Sequence, residues 1–98
     1  MKVLWADAAV AQLQAIYDYV AQTSPEYALR LIDRLTNRSI QIATFPFSGR
    51  VVPEYDLKDI RELIEGTFRI IYLINQQDQQ IEILAVIHSA RESLRPLK

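Results

Sequence analysis

Apolar positions change period halfway along this chain, and the change divides it into two kinds of structure. Residues 2–5, Lys-Val-Leu-Trp, read as a short strand. After them Ala9, Leu13, Ile16, Tyr17 and Val20 recur at spacings of three and four, the mark of one buried helix face, and predict a first helix over about residues 7–22. Thr23-Ser24-Pro25-Glu26 then carries the signals of a helix start. A hydroxyl stands at the N-cap, proline takes the first helical position where its missing N–H costs nothing, and an acid faces the positive end of the helix dipole. The second helix keeps Ala28, Leu31, Ile32, Leu35, Ser39, Ile42 and Ala43 on one stripe, with Arg30, Asp33, Arg34 and Arg38 on the others. Two such stripes in succession predict a helical hairpin.

Pro46 and Gly49 end the helical pattern within residues 44–50. From Ile60 the chain carries three alternating or continuously apolar runs, over residues 60–65, 68–75 and 81–88. The separators Glu65-Gly66-Thr67 and Gln76-Gln77-Asp78-Gln79 are short enough for hairpins, so the runs predict an antiparallel meander. The expected fold class is α+β, a short N-terminal strand and a helical hairpin packed on an antiparallel β-sheet, in one domain spanning residues 1–98. If residues 76–79 form the loop, Asn75 pairs with Gln80. Counting back along both strands sets Arg69 opposite Val86 and diagonal to His88, so that Arg69 and His88 share a face. A slip of one residue in that register would send every side chain to the other face.

Composition narrows the function classes. Eleven Lys and Arg against twelve Asp and Glu give a net charge of -1, without the positive surplus of proteins held chiefly by phosphate contacts. The C-terminal end is locally basic, through Arg91, Arg95 and Lys98 against Glu92. The absence of cysteine excludes disulfides, thiolate zinc sites and thiol nucleophiles and fits a reducing compartment. The first residues lack the apolar stretch of a signal peptide, and polar residues interrupt every apolar run short of membrane-spanning length. The expectation is a cytoplasmic protein with no membrane and no cofactor.

Charged residues inside apolar strands carry the candidate chemistry, because a buried cation must reach a partner, the sheet rim or a ligand. Arg69, between Phe68 and Ile70, either stabilises developing negative charge on a phosphate or pairs with Glu62 across the first hairpin. His88 ends the last strand, where it either acts as general acid or base or caps the sheet by hydrogen bonding. As the sole histidine it cannot form a metal site with another. Arg91 would lie about one turn beyond His88 if the chain becomes helical there. Glu54, after Val52-Pro53, is either a solvated loop acid or the carboxylate that completes a set for transesterification at phosphate with Arg69 and His88. Arg61 reads as a structural partner, with a cross-strand ion pair as its ordinary explanation.

Taken in order, Pro46 with Gly49-Arg50, Val52-Pro53-Glu54, Ile60-Arg61-Glu62-Leu63, Phe68-Arg69-Ile70-Ile71-Tyr72, and Ile83-Leu84 up to His88 with Arg91 resemble the RelE/ParE superfamily of bacterial toxins. The resemblance covers nearly the whole chain. It implies the toxin half of a type II toxin–antitoxin pair, restrained by a cognate antitoxin and touching operator DNA only through the antitoxin complex. The superfamily contains toxins that poison DNA gyrase and ribosome-dependent mRNA endonucleases. The Gly-Arg-x-Val-Pro-Glu and His-x-x-Arg landmarks look most like the ParE branch, which acts on gyrase. The slightly acidic charge, and a last tyrosine at Tyr72 where RelE-type enzymes carry one in the C-terminal segment, point the same way. Glu54, Arg69 and His88 also resemble the carboxylate, arginine and histidine of the YoeB ribonucleases, which implies the alternative of a metal-independent endoribonuclease with ribosome and mRNA as partners. A third reading is a non-toxic module that only binds its antitoxin.

Overall fold

In the computed structural model, which describes residues 1–89, both halves take the expected forms and meet face to face. The first strand, β1 (Lys2–Trp5), leads into α1 (Asp7–Ala21) and α2 (Pro25–Thr44). Ser24 caps α2 by accepting the Tyr27 N–H at 3.2 Å, with Pro25 in the first turn. A single 3-10 turn (Pro46–Ser48) delivers the chain to β2 (Arg50–Val51), and β3 (Ile60–Glu65), β4 (Phe68–Asn75) and β5 (Gln80–His88) follow as the meander. Gly66 makes the β3–β4 turn with φ +60, a left-handed conformation that costs glycine little.

The sheet order is β1-β5-β4-β3-β2. All neighbours are antiparallel except β1, which runs parallel to β5 and makes the sheet mixed. The helical hairpin covers one face. There Leu31, Leu35 and Ile42 of α2 and Ala9 of α1 bury against Leu63, Ile70, Tyr72, Ile74, Ile81, Ile83 and Val86. Burial of this continuous apolar set is the main force holding helices to sheet. The opposite face carries a smaller cluster, Val52, Ile60 and Ile71, with Tyr55, Leu73, Leu84 and Ala85 packed on it.

The β4–β5 register corrects the pairing expected from loop length. Asn75 pairs with Gln80, and the count holds back to Tyr72 with Ile83, but Ile71 then pairs with Ala85. One extra residue enters β5 as a bulge, so Arg69 lies opposite Ile87, and His88 lies opposite Phe68. Ile83 and Val86 both pack toward the helices, whereas Leu84 and Ala85 both pack on the outer face. The Val86 N–H, just past the bulge, is taken by Oε1 of Gln12 from α1 at 2.8 Å. Arg69 and His88 therefore lie on opposite faces of the sheet, and the expectation of a shared face fails by the single-residue slip that reverses a strand's sides.

Candidate functional site

Four of the polar landmarks assemble on the outer face. The pairing of β2 with β3 sets Arg50 opposite Glu62, and the next strand pairing sets Arg69 beside Ile64, one step along the same face. Glu62 is 1% exposed, so its carboxylate must be answered inside the protein. Nε of Arg50 reaches one of its oxygens and Nε of Arg69 the other, each at 2.5 Å. The remaining fork of Arg69 donates from Nη1 and Nη2 to the two oxygens of Glu54 at 2.7 and 2.9 Å. The result is a chain Arg50–Glu62–Arg69–Glu54 in which carboxylates and guanidinium groups alternate and the formal charges cancel.

The electrostatics follow from that order. The bidentate hydrogen bonds from Arg69 hold the Glu54 carboxyl down to about 2, well below the usual carboxylate range, against a smaller opposing effect of burial. Arg69 is correspondingly pushed up, first by Glu54 and then by Glu62, and stays charged under all working conditions. A carboxylate stabilised this far as the anion is a weak proton acceptor near neutral pH.

A second set of contacts fits the turn before β2 to the sheet. The Tyr72 hydroxyl, buried in β4, accepts the Gly49 N–H at 3.1 Å and donates to the Pro46 carbonyl at 2.6 Å. Burial pushes the Tyr72 phenol up from its ordinary value. A Cβ at position 49 would stand 2.5 Å from both the Glu62 carbonyl and the Tyr72 hydroxyl, so glycine is required there by close approach. Arg61 does not make the expected cross-strand ion pair among the described residues. It donates to the carbonyls of Lys58 at 2.8 Å and Gly49 at 3.1 Å, with its guanidinium 5.0 Å over the Phe47 ring.

The structure thus brings Glu54 and Arg69 together and separates His88 from both. The His88 ring faces the helices, edge-on to Phe68 with centroids 5.4 Å apart. It lines a groove of about 390 Å³ between the hairpin and the sheet, with Gln12, Ile16, Tyr19, Tyr27 and Phe68. Arg91 lies outside the described residues. Two contributors escaped the reading of the sequence. Arg50 was visible only as part of a landmark, and its role depends on β2 pairing that two residues are too few to signal. Gln12 sits on a helix like any polar surface residue, and nothing in its spacing marks it as the partner of a strand amide. Among the described residues, no group of three or more His, Asp or Glu side chains is arranged to hold a metal ion, and no helix is long and apolar enough to cross a membrane.

Comparison with known proteins matches this arrangement over nearly its whole length. The family model described as "ParE toxin of type II toxin-antitoxin system, parDE" covers residues 3–93. Toxin RelE2 of Caulobacter vibrioides is 33% identical over 91 residues, spanning 92% of this chain and 97% of that protein. Among solved structures, a chain of the chromosomal ParDE system from P. aeruginosa superimposes with a TM-score of 0.73 at 26% identity, covering 90% of this chain and 95% of that one. A chain of the toxin–antitoxin complex RelBE2 from Mycobacterium tuberculosis gives 0.65 at 19% identity, over 89% of this chain and 95% of its own. The YoeB/ParE toxin from Agrobacterium tumefaciens gives 0.63 at 16%, over 90% and 98%. These last two likenesses speak for the fold.

Proposed function

Because the chain belongs to the ParE toxin family of type II toxin–antitoxin systems, we propose that it arrests growth by binding DNA gyrase in the cytoplasm and that a cognate antitoxin neutralises it by covering overlapping surface. The observation that carries this reading is the division of the candidate residues between the two faces of the sheet. Cleavage of RNA at phosphate requires a proton acceptor, a charge stabiliser and a proton donor around one reacting atom. Here the Glu54 carboxylate beside Arg69 is a poor base, and His88 lies across the sheet from both, facing the helices. A protein-binding toxin needs no such convergence.

The test is induction of the toxin without its antitoxin, followed by recovery of trapped gyrase–DNA complexes and mapping of mRNA ends. Gyrase–DNA complexes are the expected product, and they persist in the His88→Ala variant. Codon-positioned mRNA cuts without gyrase trapping, abolished by substitution of Arg69 or His88, overturn the reading in favour of an mRNA endonuclease. Expression without growth arrest also overturns it and leaves an antitoxin-binding module.

A further inference from the structure

The two terminal nitrogens of Arg69 hold a planar carboxylate, and that carboxylate comes from a turn residue of the same chain. The two sides of that contact are held with different firmness. Arg69 belongs to a central strand, is 9% exposed, and has Nε tied to the buried Glu62, so its Nη1 and Nη2 are held in one direction, toward Glu54. Glu54 stands in the turn that follows β2, outside any strand or helix, with 40% of its side chain exposed. Water already reaches the carboxylate that the fork holds.

The rim of the seat is apolar. Ile64, directly opposite Arg69 on β3, is 45% exposed, and Ile87, opposite on β5, is buried. The charge of the other cation of the network, Arg50, is balanced by Glu62 through Nε, although its side chain is open to solvent. A phosphodiester chain is held by runs of uncancelled cations. A single carboxylate beside an apolar side chain is instead matched by one rigid bidentate fork with an apolar neighbour.

We propose that Arg69 is an exchangeable carboxylate seat, filled by Glu54 in the isolated toxin and by an aspartate or glutamate side chain of the antitoxin in the complex, with Ile64 as the adjoining apolar anchor. Glu54 then competes with the antitoxin for the same fork. The inference rests on the toxin–antitoxin reading and is independent of gyrase, whose inhibition is measured separately, so the two fail separately.

The seat itself is tested with sodium acetate on the Glu54→Ala variant, which vacates the fork and leaves Arg69 tied to Glu62. Acetate at about 0.3 M raises the Tm of this variant by about 3 °C over the same concentration of chloride, as expected for weak binding to the folded state alone. The wild type responds less, because its seat is filled. Glu54→Ala/Arg69→Gln, and Glu54→Ala/Arg69→Lys as a control that keeps the charge without the fork, lose the response. Competition is tested by titrating each variant with the cognate antitoxin. Glu54→Ala tightens binding by about tenfold, because the competent state no longer has to be opened, and Arg69→Gln weakens it. An acetate response that survives loss of the fork, or antitoxin binding weakened by Glu54→Ala, overturns the proposal. Single-stranded RNA that binds Glu54→Ala through Arg69 while acetate has no effect also overturns it, and assigns the seat to phosphate.

Discussion

The two faces of the sheet bury their central residues by different physics. Toward the helices, Ile70, Tyr72, Ile83 and Val86 meet apolar stripes of α1 and α2, and any side chain of the right volume serves. On the outer face no helix packs among the described residues, and a fully buried carboxylate sits between two arginines. Burial of such a group is costly by itself and is offset only by partners in good geometry. The apolar face is therefore tolerant and generic, while the polar face is specific: each member of Arg50–Glu62–Arg69–Glu54 fixes where the next must be. It ties β2 and the turn after it to β3 and β4.

The largest effect that separates the faces comes from Glu62→Leu. Removing the carboxylate leaves the buried Arg69 with Glu54 alone and costs about 3 kcal/mol. Adding Arg69→Leu should return part of that loss, because the cations and anions that remain, Arg50 and Glu54, are both open to solvent. Urea denaturation of the single and double variants checks this. A double variant less stable than the single would mean that the face is not held by ionic pairing in the way described. On the helix face no second substitution should similarly relieve a truncation such as Ile70→Ala.

Next in size is Gly49→Ala, which pushes a methyl group against the Glu62 carbonyl and the Tyr72 hydroxyl, where the polar face meets the apolar one. The expected loss is about 1–3 kcal/mol, the range for overpacking a close contact, measured by the same titration. Combining it with Tyr72→Phe should make the two effects less than additive, because both disturb the same contact.

The smallest effect is the pH dependence carried by Glu54. Its folded-state pKa lies below the ordinary 4.5, at about 2, so its contribution is present above pH 4.5 and is lost as the pH falls toward 2. With 40% of the side chain exposed, solvent screening limits that contribution to about 1 kcal/mol. The stability gap between wild type and Glu54→Gln should close over that pH interval. A gap that stays constant down to pH 2 would show that Glu54 contributes through shape alone.

The amino-acid sequence by itself determined the helical hairpin, the meander and their apolar contact, because period and capping are local properties. Stripes at spacings of three and four, Ser24 before Pro25, and Gly66 between two apolar runs act within a few residues of themselves. It also marked Arg69 as a charge in need of a partner, and offered Glu62 as one answer to it. What it left open was which side of the sheet each charge occupies. That was decided in three dimensions by a one-residue bulge in β5, where Gln12 from a helix more than seventy positions earlier takes the Val86 amide. Side-chain direction in a strand depends on parity, so a single inserted residue is enough to move His88 away from Arg69 and turn an apparent catalytic set into two separate surfaces.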